Sequence, residues 1–268
     1  MIDAPRPRHE APPAAPAPGR VSVIMPCFNA AATLDQAVRS VREQSYANWE
    51  LWIVDDASTD DSRAIANRHA HDDARIRLLP NRHRKGAAGA RNTGIEAAEG
   101  EFIAFLDADD YWLPAKLGRQ VAAMQAEQAV FSATSYHRID ARGQPLGQLT
   151  VQPRIRYRDL LYSNTIGCLT AMYNQKRIGK VLMPEDYHHE DYLTWLDILR
   201  HHGPALGIPD ALAVYRRHKQ SLSGSKTRAA RWQWRIYREA LQLPWWQAVY
   251  LFCHYAWRGV RKHHRSRA

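Results

Sequence analysis

At 268 residues, 45% of them hydrophobic and 24% charged, the chain can build one large α/β domain with a substantial core, which excludes wholesale disorder. Its three cysteines, Cys27, Cys168 and Cys253, form no CxxC pair, so neither a disulfide framework nor a thiolate zinc site is supported. The formal net charge of +10 would suit a nucleic-acid-binding protein, but most of it lies in one C-terminal segment, and this distribution argues against that class.

Residues 1–19 form a proline- and alanine-rich stretch without the continuous apolar segment of a secretory signal. We therefore predict a disordered arm on a cytoplasmic protein. The chain then alternates four times between a short apolar run and a helical pattern, which predicts an α/β fold with a Rossmann-like, mostly parallel sheet and helices on both faces. The predicted strands are 21–26, 50–56, 75–80 and 101–110.

Acidic residues follow two of these predicted strands at the point where each strand ends. Asp55 and Asp56 end the second strand, and the sequence FLDADD places Asp107, Asp109 and Asp110 at the end of the fourth. Because ligands of open parallel sheets bind beyond the carboxyl ends of the strands, these acids indicate a site. Acids two residues apart suit a hard divalent cation that bridges a diphosphate. Turn formation and helix capping are the alternatives.

The pattern from residue 130 to 225 is weaker. FSATSYHRID, QPLGQLTV and ALAVYRRH predict strands, and RDLLYSNTIG and HEDYLTWLDILRHHG contain predicted helices. Asp191 in the last of these stretches is either a helix-start acid favoured by the helix dipole or a functional carboxylate. The neighbouring His188 and His189 point in different directions on a helix, so surface histidines are favoured over a zinc site.

Two long stretches, VSVIMPCFNAAATLDQAVRSVREQSYANWELWIVDDASTD and GAAGARNTGIEAAEGEFIAFLDADDYWLP, resemble the nucleotide-binding half of glycosyltransferase family 2. SNTIGCLTAM, HEDYLTWLDIL and YRRHKQSLSGSK resemble bacterial members that build cell-surface polysaccharides of the teichuronic-acid or O-antigen type. The resemblance covers roughly residues 20 to 260. It implies a GT-A fold, Mg²⁺ or Mn²⁺, inversion at the anomeric carbon, and a UDP-sugar donor in preference to a GDP- or dTDP-linked one.

The resemblance also divides the chain into parts and gives the donor side its residues. Residues 20–125 would bind the nucleotide-sugar, and residues 126–227 would bind the acceptor and supply the catalytic base. Residues implied to contact the nucleotide are Pro26, Phe28 and Asn29 around the base, Asp56 with Asp55 in support at the uracil or ribose, and Arg91 at the nucleotide or its phosphates.

For the metal, the resemblance implies a DxD element made of Asp107 and Asp109, with Asp109 as the direct ligand. His218 would lie near the diphosphate or the metal. Asp191 would be the general base that takes a proton from the acceptor hydroxyl, and Glu190 could share that role. An inverting displacement needs one carboxylate on the acceptor side and a Lewis acid on the leaving-group side, which these roles supply.

The C-terminal segment, residues 228–268, has nine arginines and lysines against one acid and so carries +8 of the +10. Its sequence WWQAVYLFCHYAW is thirteen residues long, too short to span a bilayer but suited to the headgroup region of an anionic membrane. We predict that it lies on the inner face of the bacterial cytoplasmic membrane, near a polyprenyl-diphosphate-linked glycan acceptor. The alternative is packing on the domain or on a second subunit in a homodimer.

Two other functions remain open at this point. A sugar nucleotidyltransferase shares the sheet and the metal chemistry, but it needs a glycine-rich basic loop after the first strand, where this chain has PCFNAAAT. A non-catalytic module could use the basic segment to bind an anionic surface. Such a module has no use for acidic residues at the ends of two strands, so this alternative leaves them unexplained.

Overall fold

The computed structural model describes residues 17–217 and 226–265, which form ten strands and nine α-helices. The first half alternates strand and helix as predicted. Its elements are β1 Ala17–Cys27, α1 Leu34–Arg42, β2 Trp49–Asp55, α2 Ser62–Asp72, β3 Ile76–Pro80, α3 Ala87–Ala97 and β4 Gly100–Phe105. Strand β1 begins inside the stretch predicted to be a disordered arm, because the Gly19 amide donates to Glu101 and the Tyr46 hydroxyl donates to the Gly19 carbonyl.

The second half also follows the predicted pattern of strands and helices, with short elements added. Its elements are β5 Tyr111–Trp112, α4 Lys116–Ala126, β6 Phe131–Asp140, β7 Pro145–Leu149, β8 Arg154–Ile155, α5 Tyr157–Tyr162, β9 Met172–Asn174, α6 Gln175–Ile178, α7 Glu190–His202 and β10 Ala205–Arg217. The C-terminal segment forms α8 Lys226–Arg235, a π-helical turn Ile236–Ala240 and α9 Trp245–Arg265.

One sheet joins the two halves in the order β3-β2-β1-β4-β9-β6-β10-β5. Strands β3, β2, β1 and β4 are mutually parallel, and the short β9 is inserted antiparallel between β4 and β6. Successive side chains of β1 face opposite sides of the sheet, so Ile24 packs in one core while Val23 and Met25 pack in the other. The sheet is therefore covered on both faces, as a parallel sheet requires.

The C-terminal segment packs on the domain through one face. Ile236, Tyr237, Ala248 and Leu251 are buried in the core that includes α5 and α7, and the Tyr237 hydroxyl donates to the Leu161 carbonyl at 2.6 Å. A second face stays exposed, with Trp245 68%, Trp246 62% and Tyr250 53% accessible. The packing alternative therefore holds for one side of the segment. No helix within the described residues is long and apolar enough to cross a membrane.

Candidate active site

The carboxyl ends of β1, β2 and β4 border a cleft of about 580 Å³. Most of the residues predicted to bind the donor or the metal line this cleft together, namely Pro26, Phe28, Asn29, Asp56, Arg91, Asp107 and Asp109. Phe28 is 50% exposed at its edge, and the Lys85 ammonium lies 4.6 Å from the centre of its ring. Two predicted donor residues are not among the lining residues. Asp55 lies beside the cleft, and His218 lies outside the described residues.

Asp56 is held by the loop that follows β3. Its Oδ1 accepts a hydrogen bond from the Asn81 side chain at 2.7 Å, and its Oδ2 accepts one from the Gly86 amide at 2.8 Å. Asp55 accepts from the Ser58 amide at 3.2 Å and lies 3.5 Å from the Arg63 guanidinium. Both carboxylates therefore stabilise the loops around the cleft, but neither caps α2, which begins without a side-chain cap hydrogen bond; Asp56 also lines the cleft.

Asn29 continues the end of β1 in a left-handed conformation, with φ of 47°. Its side-chain oxygen accepts a hydrogen bond from the Thr59 amide at 2.8 Å, and its own amide donates to the Ser58 hydroxyl at 3.1 Å. Asparagine tolerates this backbone region better than most residues because its short side chain bonds locally. The residue thus ties the β1 end to the loop after β2 and fixes that wall of the cleft.

Two glycines of the sequence KGAAGARNTG allow close packing within the protein. A Cβ on Gly89 would lie 2.0 Å from the Arg84 carbonyl oxygen, and a Cβ on Gly94 would lie 2.6 Å from the Ile24 side chain. Gly86, with φ of 131°, lines the cleft and bonds to Asp56. Helix α3 therefore approaches both the preceding loop and β1 at distances that only glycine permits.

Arg91 on α3 is buried between two carboxylates that come from opposite halves of the chain. One terminal nitrogen lies 2.5 Å from Asp107 after β4, and the other lies 2.8 Å from Glu190 at the start of α7. Burial alone would lower the pKa of Arg91, but the surrounding anions, Asp107 foremost and Asp191 among them, raise it well above its usual value. Arg91 is thus a permanent cation that joins the two halves.

A second cavity of about 690 Å³ lies on the other side of this ion pair. It shares Arg91 and Asp107 with the first cleft, so the two spaces meet at these residues. Its other walls come mainly from the second half and the C-terminal segment, including Tyr136, Cys168, Glu190, Asp191, Tyr215, Arg231, Trp232 and Arg235. We name the two spaces after the roles that the sequence predicts for their lining residues, the donor cleft and the acceptor cavity.

Asp191 and Glu190 begin α7 and differ in their surroundings. Glu190 is paired with Arg91, whereas one oxygen of Asp191 accepts a hydrogen bond from the Tyr192 amide at 2.7 Å. Burial, together with the negative charge of Glu190, raises the pKa of Asp191 to about 6, against the opposing effect of Arg91. A carboxylate with a pKa near neutrality can take up a proton and still be ionised at pH 7. His188 and His189 are exposed, but they precede α7 instead of lying on a helix, and both line the acceptor cavity.

The acids after β4 have separate environments. Asp107 and Asp109 both line the donor cleft, whereas Asp110 is buried and accepts a hydrogen bond from the Arg216 amide at 2.8 Å. Burial, reinforced by Asp109 and Asp107, raises the pKa of Asp110 well above its usual value. Asp110 therefore connects the segment after β4 to β10, and it also lines the acceptor cavity. Within the described residues no group of three or more histidine, cysteine or acidic side chains converges on one point.

Residues 22–178 match the family model described as Glycosyl transferase family 2. The chain belongs to this family. Among its relatives, Bacillus subtilis TuaG, a putative teichuronic acid biosynthesis glycosyltransferase, is 38% identical over 90% of this chain and 96% of its own length. Escherichia coli WfgD, a UDP-Glc:α-D-GlcNAc-diphosphoundecaprenol β-1,3-glucosyltransferase, is 36% identical over 91% and 94%.

Solved glycosyltransferases share the fold. S. aureus TarS, residues 1–349, superimposes with a TM-score of 0.67 at 19% identity, covering 88% of this chain and 70% of that one. The complex of TarS with UDP-GlcNAc gives 0.65 at 19% identity over 88% and 71%. The mannosyltransferase PcManGT from Pyrobaculum calidifontis, in complex with GDP-Man and Mn²⁺, gives 0.63 at 24% identity over 89% and 68%. These similarities confirm the predicted GT-A fold.

Family membership identifies the chain as a glycosyltransferase and decides against the nucleotidyltransferase alternative. Most residues predicted for the donor line one cleft, and both predicted acids of α7 line the other cavity, but Tyr136, Tyr215 and the wall formed by α8 were not predicted. The available signal was the helical spacing of Arg228, Arg231, Arg235 and Arg238 in the sequence. It indicated a basic face without showing that this face borders the acid-lined cavity.

Proposed function

We propose that this glycosyltransferase transfers a sugar from a UDP-sugar to a glycan linked to a polyprenyl diphosphate, with inversion at the anomeric carbon, in the synthesis of a bacterial cell-surface polysaccharide. The observation that carries the proposal is the junction of two cavities at Arg91 and Asp107. The donor cleft has the residues expected around a nucleotide, and Asp191 lies only in the acceptor cavity. The separation matches a reaction in which donor and acceptor approach from different sides.

The relatives support the choice of substrates. WfgD is named for transfer from UDP-Glc to a diphosphoundecaprenol-linked sugar, and this chain aligns with it over 91% of its length. TarS is solved with UDP-GlcNAc. We propose the same two substrate classes for this chain, a UDP-linked donor and a diphosphate-linked acceptor.

The donor cleft fits a hard divalent cation, Mg²⁺ or Mn²⁺. Asp107 and Asp109 provide carboxylate oxygens that line one cleft, and such cations take further ligands from water and substrate phosphates. When bound, the cation would stabilise the negative charge that develops on the departing diphosphate. Arg91 holds one oxygen of Asp107 and thereby orients this carboxylate. PcManGT, which has the same fold, is solved with Mn²⁺.

Asp191 acts as the general base in this proposal. Its carboxylate takes the proton of the acceptor hydroxyl while the hydroxyl oxygen forms the new bond to the anomeric carbon. The bond from that carbon to the UDP oxygen breaks, and UDP leaves with the bonding electrons. A single displacement of this kind inverts the anomeric carbon. Glu190 positions Arg91 and keeps its own charge paired.

The proposal also gives each part of the chain a role at the donor, the acceptor or the membrane. Residues 20–125 supply the donor cleft, residues 126–227 supply most of the acceptor cavity, and the segment from residue 228 onward adjoins the inner face of the cytoplasmic membrane. The exposed tryptophans of α9 suit the headgroup region of a bilayer. A polyprenyl carrier would hold the acceptor in that membrane.

The test is UDP release from a panel of UDP-sugars, measured with Mn²⁺ or EDTA and with a short-chain lipid-diphosphate sugar as acceptor. We expect release that requires both metal and acceptor with at least one UDP-sugar, and a strong loss in Asp109→Asn. NMR of the product checks inversion. Release from GDP- or dTDP-sugars alone would contradict the donor class, and full activity in EDTA would contradict the metal.

A further inference from the structure

Helix α8 forms part of the wall of the acceptor cavity. Arg231, Trp232 and Arg235 line the same space as Asp191, although they come from the segment that sequence patterns assign to a membrane surface. The segment is fixed in this position by the buried Tyr237, whose hydroxyl donates to the Leu161 carbonyl. The cavity is therefore incomplete without the C-terminal segment.

The aromatic and basic side chains of α8 are held in place by neighbours. The Trp232 ring lies 4.4 Å from the His188 ring and nearly perpendicular to it, which connects α8 to the loop just before Asp191. The Arg235 guanidinium lies 4.7 Å from the centre of the Trp232 ring, and its Nε donates to Glu239 at 2.9 Å. Stacking and this bond set the orientation of the guanidinium.

The charges of the acceptor cavity are unevenly neutralised. Arg91 is paired with two carboxylates, Asp107 and Glu190, whereas Arg235 is paired with one, that of Glu239. Arg231 is exposed and makes no hydrogen bond or ion pair with any part of the chain that the structure describes. The cavity thus combines carboxylates that suit sugar hydroxyls with a guanidinium available to an anion.

We propose that Arg231 and Arg235 bind the diphosphate of the lipid-linked acceptor. The inference rests on the proposed function, which makes the acceptor a sugar attached through a diphosphate. Planar guanidinium groups suit phosphate oxygens because they donate paired hydrogen bonds and keep their charge. Trp234 of α8 contacts Phe252 of α9 at 5.6 Å between ring centres, so α9 packs beside the helix that carries both arginines.

The test uses soluble substrates without any membrane. Arg231→Gln, Arg235→Gln and the double variant are assayed for KM with a short-chain lipid-diphosphate sugar. They are also assayed for inhibition by a short-chain prenyl diphosphate that carries no sugar. We expect each single change to raise the acceptor KM and the inhibitor Ki about tenfold, since a hydrogen bond between charged groups is worth about that factor or more. The KM for the UDP-sugar stays unchanged, and Arg231→Lys recovers part of the loss.

Arg238→Gln is the matched control, because Arg238 is an exposed arginine of the same segment that bonds to the Leu243 carbonyl and does not line the cavity. It should leave both constants unchanged. Unchanged acceptor KM and inhibitor Ki in the double variant would overturn the inference. Binding of the same variants to anionic vesicles is measured separately, and loss of that binding alone would also overturn the inference, because the arginines would then bind lipid headgroups. Absence of transfer by the wild-type enzyme would instead contradict the proposed function.

Discussion

Replacing Arg91 with methionine tests the ion pair that joins the two halves of the active site. The guanidinium is 5% exposed and neutralises Asp107 at 2.5 Å and Glu190 at 2.8 Å. Methionine fills much of the volume but leaves both carboxylates without their partner. Removing one member of a buried ion pair costs about 3–5 kcal/mol, so we expect Arg91→Met to lower the free energy of unfolding by about that amount at pH 8.

The destabilisation should depend on pH. Carboxylates that have lost their cation acquire raised pKa values in the folded protein. At a pH between their unfolded and folded pKa values, they are protonated in the folded protein and ionised in the unfolded chain. Stability from such groups is present at low pH and lost as the pH rises. Arg91→Met should therefore be less destabilised at pH 5 than at pH 8. Because Arg91 lowers the pKa of Asp191, any residual activity should have its acidic limb above the value of about 6 expected for the wild type.

Urea denaturation at the two pH values measures the effect, and Glu190→Gln in the same background supplies the control. Adding Glu190→Gln to Arg91→Met removes one unpaired charge and should recover at least about 1 kcal/mol at pH 8, within the usual range of coupling between contacting residues. A loss below about 1 kcal/mol for Arg91→Met would refute the reasoning. An equal loss of stability at pH 5 and at pH 8 would also refute the reasoning.

Three further predictions concern single residues. The transfer rate should fall as the pH drops below about 6, because Asp191 must be ionised to accept a proton; a pH–rate profile that stays flat to pH 4 contradicts its assignment. Lys116 is fully buried over the Trp112 ring without a hydrogen bond to its Nζ, and burial lowers its pKa well below the usual value. The unfolded chain therefore binds a proton that the folded chain lacks, so this group makes stability rise with pH by up to about 1.4 kcal/mol per pH unit between its folded and unfolded pKa values. Lys116→Met should reduce this slope in urea denaturation measured at several pH values below the ordinary lysine pKa of about 10.4, and an unchanged slope would show that the lysine is charged. Gly89→Ala places a Cβ against the Arg84 carbonyl and should cost about 1–3 kcal/mol while raising the KM for the donor; wild-type stability would show that the loop relaxes freely.

Local sequence patterns determined much of the fold. FSATSYHRID was predicted as a strand, and β6 spans Phe131–Asp140, the same ten residues. The parallel core of β3, β2, β1 and β4 was also predicted correctly, since each strand is a short apolar run followed by a helical pattern. The antiparallel β9 was not predicted. It has only three residues, and its position between β4 and β6 depends on pairing with residues far away in sequence.

The sequence predicted many of the residues that line the site, but not the hydrogen bonds that hold them. The acids at the strand ends could be placed at one sheet edge because the topology follows from the pattern. Which of these acids accept hydrogen bonds from the protein itself depends on segments that are distant in sequence. Asp56 bonds to Asn81, and Asp110 bonds to the Arg216 amide, which lies 106 residues away.

The position of the C-terminal segment shows a related limit. Its charge and aromatic content predict an affinity for anionic groups, which stays a prediction, and one aromatic face of α9 is exposed. The buried face is encoded by Ile236, Tyr237, Ala248 and Leu251, whose partners lie on α5 and α7. The sequence left packing on the domain open as an alternative, but it did not identify the surface that covers this face. The role of α8 in the acceptor cavity therefore became visible only in the structure.

The central claim is that Asp191 takes the acceptor proton while a separate cleft holds the donor. The most direct test measures sugar transfer and UDP-sugar binding side by side in Asp191→Asn. We expect transfer to fall by a factor of about 10² to 10⁴, the usual contribution of a general base, with the dissociation constant for the UDP-sugar unchanged. Transfer within a few fold of the wild-type rate, with the folded protein intact, would contradict the account.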